Sequence, residues 1–404
     1  MDALKGLRVV DFSKVLAGPL CTQYLGDMGS EVIKVEPPRG DDTRHWPPFH
    51  DGTGTVFLSA NRSKQSVVLD LKSPLGNEAA QRLIDTADIV VESYGPGVAK
   101  RLGIDYETLS ARKPGLIYCS ISGFGSAGPL CNGKGYDVIL QAFSGMMSVT
   151  GEEGGPAIRS PISPIDQATG MHAAIGILAA VVRRLQTGAG MRVEAALFDT
   201  SLAFMAYVMQ SYWERGTEPI RWGSAHESLC PYQVFDTRDQ PMLLGVANDA
   251  LWQAFCKEVD APDLASDPRY LTNADRVKSR GQVLREVAAR LSGGTCDEWV
   301  TRFSRAGIPC APILSVGEVV THPHTEASGM IRHLVGGAAK EGVNVVSQPL
   351  RFDGERSEPS AAPPELGAHT RQVLQTLGYT EEQIGLFAMP VSNSTGVAAS
   401  ESRS

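Results

Sequence analysis

Compact apolar runs alternate with stretches of helical spacing from the start of the chain to about Gly125. "GLRVVDFS", "EVIKVEPP", "QSVVLDL", "DIVVES" and "GLIYCSISG" have strand length and are rich in β-branched residues. Prolines stop the second run, because they cannot donate to a ladder. Between the runs, "GPLCTQYLGDMGS" reads as a helix closed by Gly29. "SPLGNEAAQRLIDTA" offers Ser73 as a cap, Pro74 in the first turn and apolar residues at helical spacing. This βαβ rhythm predicts an α/β fold with a mainly parallel sheet covered by helices.

The pattern changes near Ala225. "PYQVFDTRDQPMLLGVAND" reads as a β-hairpin around "TRDQP", and "DALWQAFCKEV" as a helix capped by Asp249. Residues 225–330 are expected to form a smaller α+β domain, with 1–224 and 331–389 in the large one. "ELGAHTRQVLQTLGYTEEQIGLF" returns to helix–turn–helix. The 390–404 tail has almost no large apolar residues and is expected to be disordered.

Composition narrows the function classes. Apolar residues make up 42 % of the 404 and charged residues 20 %, an ordinary soluble balance. A net charge of −8 argues against nucleic acid as partner, though not against a small anion in a local basic pocket. No uninterrupted apolar run reaches the roughly 18 residues of a membrane span. The opening residues carry no basic segment ahead of an apolar core, so no secretory signal is expected. Seven scattered cysteines without a C-x-x-C pair suit reduced thiols in a cytoplasmic protein.

Several motifs carry less than their letters suggest. "GFGSAG" (Gly123 to Gly128) matches G-x-G-x-x-G, but Pro129 follows and no helix opens to hold a pyrophosphate. A flexible glycine loop at a strand end is the better reading. His322 and His324 in "THPHTE" lack further ligands nearby, so no metal site is expected. Arg39, Lys72, Arg101 and Lys134 recur where loops should follow strands, the usual place for ligands of α/β sheets. In "SPISPIDQATGMHAAIGILAAVVRRL", Asp166 stands at the mouth of an apolar helix. An acid there serves first as an N-cap.

"LKGLRVVDFSKVLAGPLCTQYLGDMGSEVIKVEPPRGDDTR" resembles the opening of class III CoA-transferases. That family includes formyl-CoA transferase, carnitine CoA-transferase and α-methylacyl-CoA racemase. The likeness continues through "NRSKQSVVLDLKSPLG", "DIVVESYGPG", "LIYCSISGFGSAGP", "KGYDVILQAFSGMMSVTG", "SPIDQATGMHAAIGILAAVVRR", "RWGSAHESLCPYQVF", "GIPCAPI" and "LGAHTRQVLQTLGY". It implies a large domain with a Rossmann-like parallel sheet, a smaller α+β domain and an interlocked homodimer. Asp166 occupies the place of the family's nucleophile. By position, CoA contacts fall near Leu16, Leu69, Lys72, Arg101, Lys134 and Tyr136. Formyl-CoA transferases have Gln, Arg and Asn where this chain has Leu16, Pro37 and Ser93, and a glycine-rich covering loop that is missing here. Arg39 is then the candidate for the lost charge, and formyl-CoA with oxalate is a poor substrate pair.

The resemblance implies transfer of CoA through an aspartyl anhydride and an aspartyl-CoA thioester, with a helix N-terminus keeping Asp166 ionised. No cofactor is expected to be tightly bound; the CoA thioester is a substrate. "GDDTRHWPPF" and "IRWGSAHESLCPYQVF" are similar to segments of succinate–hydroxymethylglutarate, itaconate and citramalate CoA-transferases. They point to succinyl-CoA as donor and a short dicarboxylic acid of the itaconate, glutarate, malate or citramalate type as acceptor. Arg44, Arg221 and His226 are candidates for its distal carboxylate, unless they form structural ion pairs. Two alternatives stay open. An α-methylacyl-CoA racemase would need a base where Tyr136 stands, a residue with pKa near 10. A non-catalytic CoA-ester-binding protein would leave Asp166 unexplained.

Overall fold

The computed structural model describes residues 2–387; the 390–404 tail lies outside them. Six strands form one wholly parallel sheet: β1 Arg8–Phe12, β2 Glu31–Glu36, β3 Gln65–Val68, β4 Ile89–Glu92, β5 Ile117–Ser122 and β6 Met191–Ala196. Their order is β3-β2-β1-β4-β5-β6, a doubly wound, Rossmann-like arrangement. Strand order reverses between β1 and β4, so their carboxyl ends leave a crevice between diverging loops. The first five strands lie where the apolar runs predict. The sixth, "MRVEAA", was not expected from the sequence. Its half-buried and exposed residues alternate before the buried Ala195 and Ala196 at a sheet edge, without a dense apolar run.

Helices α1 (Ala17–Asp27) and α2 (Pro74–Thr86) follow β1 and β3. Ser73 caps α2 as expected, its Oγ accepting from Gly76 N–H at 3.0 Å. Helix α3 spans Pro164–Thr187, 24 residues. By length and composition it could cross a membrane. Instead Ala168, Gly170, Ala173, Ala174 and Ile177 are buried, and α3 packs along α1. The contact needs Gly170: a Cβ there would lie 2.5 Å from the Ala17 carbonyl oxygen.

The chain divides into two compact units. The large one holds residues up to Leu140, Ser163–Ala203 and everything described from Gly329 onward. The second holds Gln141–Ile162 and Phe204–Ser328. It is thus wider than the expected 225–330. Hydrogen bonds explain the difference: Gly223 N–H reaches Gly151 O at 2.9 Å, and the Arg221 guanidinium holds the Ser148 and Gly155 carbonyls. Neither long-range tie is visible in local periodicity.

The second unit contains the expected hairpin, β7 Tyr232–Asp236 with β8 Pro241–Gly245, and a third antiparallel strand, β9 Cys310–Pro312. Helices α4 (Asp249–Glu258), α5 (Arg280–Leu291) and α6 (Cys296–Arg305) bury Trp252, Phe255, Val287 and Phe303 in its core. Asn248, not Asp249, caps α4 by accepting from Leu251 N–H. In the large unit, α7 (Thr370–Thr376) and α8 (Glu381–Phe387) add Val373, Leu374 and Ile384 to the core beneath the sheet. All seven cysteines are free thiols.

Gly170→Ala is expected to destabilise the protein by about 1–3 kcal/mol, because backbone must move to admit the methyl group. Denaturant unfolding of the variant measures this. An unchanged midpoint would show that α3 does not depend on this contact.

Candidate active site

A cavity of about 570 Å³ opens at the switch point of the large unit. Lys14 to Gly18, after β1, form one wall, and Glu92 to Gly97, from the last residue of β4 onward, another. The glycine-rich loop after β5 forms a third, and Asp166 enters from the first turn of α3. The loop has a tight neck. A Cβ on Gly123 would lie 2.6 Å from Gly135 N, so both positions need glycine for the backbones to meet. No helix starts at "GFGSAG", in line with the reading against a dinucleotide site. Its glycines close a loop that carries Lys134 and Tyr136 onto the cavity wall.

Asp166 does not cap its own helix. Ser163 is the N-cap residue, in left-handed conformation and without a side-chain bond. The cap comes from elsewhere: Asp137 Oδ2 accepts from Ile165 N–H at 2.8 Å and Asp166 N–H at 3.1 Å. Asp137 thus takes the backbone donors and leaves the Asp166 carboxylate free of that duty. Two acids share one helix start. Burial, and then the neighbouring Asp137 charge, push the Asp166 carboxyl up to about 7. Where the sequence reading has a helix N-terminus keeping Asp166 ionised, burial and the Asp137 charge favour its neutral form.

Among the proposed CoA contacts, Leu16, Lys134 and Tyr136 line this cavity with Asp166. Arg101 is exposed beside it, its guanidinium against Gly97 of the cavity wall. Leu69 is 1 % exposed in the apolar core, so its side chain is structural. Lys72 stands exposed on a turn outside the cavity lining, its N–H bonded to Asp70. Arg39 is also exposed outside the lining, its carbonyl accepting from His45. The cavity brings in three cations the sequence reading missed: Lys14, Lys100 and Arg192. Lys14 directly follows "VVDFS", and its place after the first strand was the available signal. Arg192 lies on the unrecognised sixth strand and pairs with Glu107 and Glu194 at 3.2 and 2.8 Å.

Arg44 is not available to a substrate. It is 6 % exposed, forks onto Glu36 at 2.7 and 2.8 Å, bonds the Pro364 carbonyl and stacks on Phe57. It is a structural ion pair. In the second unit, the terminal nitrogens of Arg221 bind the Ser148 and Gly155 carbonyls. His226 accepts from Ser228 N–H and meets Tyr232 edge-on. Among the described residues no group of three His, Cys, Asp or Glu side chains could hold a metal ion.

Fold and site together define a Rossmann-like α/β protein whose switch-point crevice is headed by one elevated carboxyl. The profile of CoA-transferase family III matches residues 4–370. The chain belongs to that family and is a class III CoA-transferase. It is similar to the mouse (Mus musculus) succinyl-CoA:glutarate CoA-transferase, 37 % identical over 95 % of this chain and 88 % of that one. It is 38 % identical to the succinate–glutarate CoA-transferase of Agrobacterium fabrum, over 93 % of this chain and 95 % of the other. The crystal structure of a CAIB/BAIF family protein from Brucella suis superposes with a TM-score of 0.82 at 34 % identity, covering 93 % and 99 % of the two chains.

The raised Asp166 pKa has a stability consequence. Between the unfolded value of 3.8 and about 7 the native state binds more protons, so stability falls as pH rises through that window. Asp166→Asn should therefore raise stability at pH 8 by about 2 kcal/mol, the full shift halved for solvent access. The gain should vanish near pH 4. Thermal unfolding at both pH values checks the sign; a variant less stable than its parent at pH 8 contradicts it.

Proposed function

We propose that this protein moves CoA from succinyl-CoA to a short dicarboxylic acid, with Asp166 as the covalent carrier. The observation that carries the reading is the Asp166 carboxyl on the wall of the switch-point cavity, relieved of capping by Asp137. Its ionised form attacks the thioester carbonyl of the donor. The C–S bond breaks, giving an aspartyl–acyl anhydride and CoA thiolate. The thiolate attacks the aspartyl carbonyl, releasing succinate and leaving an aspartyl-CoA thioester. The acceptor carboxylate attacks that thioester and frees the thiolate again. The thiolate then takes the acceptor's acyl group from the second anhydride and restores the Asp166 carboxylate. No proton or water is consumed, so excluding water preserves the activated acyl group.

Lys134, Lys14 and Lys100 supply positive charge for CoA phosphates around an otherwise acidic chain. Tyr136 is 59 % exposed where a racemase would need a base, and a phenol is a poor general base, which speaks for transfer over isomerisation. The dicarboxylate preference rests on the names of the relatives, both of which act on glutarate. Glutarate heads the acceptor series, with itaconate, malate and citramalate after it. With Arg44 committed to Glu36, it drops out of the candidates for the distal carboxylate. A homodimer is part of the proposal. Met171, Ile175, Val182 and Leu185 form an exposed apolar stripe along α3, at 37, 63, 54 and 80 % exposure. The free thiols suit a reducing compartment such as the cytoplasm.

Asp166→Ala should lower CoA exchange by at least about 10³-fold. Wild-type protein incubated with succinyl-CoA and hydroxylamine should yield the Asp166 hydroxamate by mass spectrometry. Retained exchange, or label at another residue, would falsify the carrier assignment. A second measurement sets glutarate, itaconate, malate and citramalate against butyrate. Dicarboxylates should lead by about tenfold or more. A lead for butyrate overturns the substrate class.

A further inference from the structure

We infer that Asp41, anchored by Lys34, is a positioning residue for CoA transfer, because it holds the cavity-lining bend at Val15 in a shape the chain would not adopt alone. The inference rests on Asp166 being the reacting carboxylate. The bend joins β1 to α1, and Lys14 through Gly18 line the cavity beside Asp166. At its centre Val15 has φ of 70°. That is the left-handed region, where a β-branched residue is a genuine outlier costing about 1–3 kcal/mol. Such a conformation persists only if its surroundings over-determine it.

Here they do, from three sides. The Val15 N–H donates to the Asp41 carboxylate, at 3.2 Å to Oδ2 and 3.4 Å to Oδ1. Lys34 Nζ donates to Asp41 Oδ2 at 3.0 Å and to the Ser13 carbonyl at 2.9 Å, tying both arms of the bend to one ammonium. Asp11 accepts from the Ser13 N–H at 2.9 Å and from its hydroxyl. Asp41 is itself fixed: Thr43 donates through N–H and hydroxyl at 3.0 and 2.8 Å. Asp41 and Lys34 are 3 % and 1 % exposed, so neither reaches bulk solvent. The two Val15 contacts are long, but a hydrogen bond to a charged acceptor is roughly twice as strong as a neutral one, and a buried carboxylate held by Lys34 and Thr43 offsets local strain.

The bend matters for transfer because it is in register with the reacting acid. The Ala17 carbonyl touches α3 at Gly170, one helical turn from Asp166. If Val15 relaxed to an ordinary φ, the chain from Leu16 onward would swing against that contact. The cavity wall facing Asp166 would move with it. A displacement of about 1 Å at a reacting centre can cost on the order of 10²-fold in rate. Asp41 touches neither substrate nor Asp166 in this account; it acts through the backbone of Val15.

The test uses glycine, which adopts φ near +70° without penalty. In the full chain, Asp41→Asn should lower kcat by about 10²-fold while the KM for succinyl-CoA changes much less. In the Val15→Gly background, compared with its own parent, the same substitution should cost at least about tenfold less, a coupling that a purely structural role would not produce. Equal losses in both backgrounds overturn the inference. If Asp41→Asn fails to fold, Thr43→Val, which removes one anchor of the Asp41 carboxylate, is measured in the same two backgrounds with the same criterion. Hydroxylamine capture is run on each parent. Capture away from Asp166 overturns the underlying reading, whereas capture at Asp166 with equal losses overturns only the role of Asp41.

Discussion

Asp166 stands at the cavity because α3 lies against α1 with no side chain between them at Gly170. Residues four apart share a helical face, so fixing Gly170 against Ala17 also fixes Asp166 over the bend that precedes α1. Much of α3's packed face is likewise small, with Ala168, Ala173 and Ala174 buried between the larger Ile165 and Ile177. The crevice of a doubly wound sheet is a general consequence of strand order. What makes this one specific is the long crossover helix between β5 and β6, with an acid in its first turn.

Beneath the crevice the large unit uses charge where a core would normally be apolar. Lys64 with Asp11, Lys34 with Asp41, Arg62 with Asp27 and Arg44 with Glu36 are buried ion pairs, none with a side chain more than 6 % exposed. Such pairs add little net stability over apolar replacements, because each ion must first be stripped of water. Their geometry is less forgiving than apolar contact, and they bind backbone as well as each other. Ser13, Val15, Thr43 and Pro364 are each held by a member of this set. The loops around the site are therefore placed by directional bonds rather than by general burial.

Much of this architecture can be read from local pattern. Five of six sheet strands, the Ser73 cap, the β7–β8 hairpin and the closing helices all follow from residues within a few positions of one another. What escaped depended on distance along the chain. Strand β6 is an edge strand whose alternation is incomplete. Asp137 caps a helix 28 residues away, so the nearer Asp166 looked like the cap. Leu69 and Arg44 sit in segments that resemble the family's binding regions, yet one faces the core and the other a buried glutamate. Leu16, Lys134, Tyr136 and Asp166 meet at the cavity because each follows a strand or opens a helix at the switch point. Lys72 and Arg39 also sit in loops beside strands, on β3 and β2 away from the reversal.

The large unit is also assembled out of chain order. Its sheet edge at β3 is completed by bonds from Ser66 and Val68 to His369 and Thr370, 303 and 302 residues later. Val373, Leu374 and Ile384 then fill the core beneath. During synthesis at about 5–20 residues per second, the early strands wait for tens of seconds before these partners leave the ribosome. Meanwhile the second unit, made largely of one continuous stretch, is already complete. The large unit begins first and finishes last, which makes its nascent form the stage at which chaperones have most to protect.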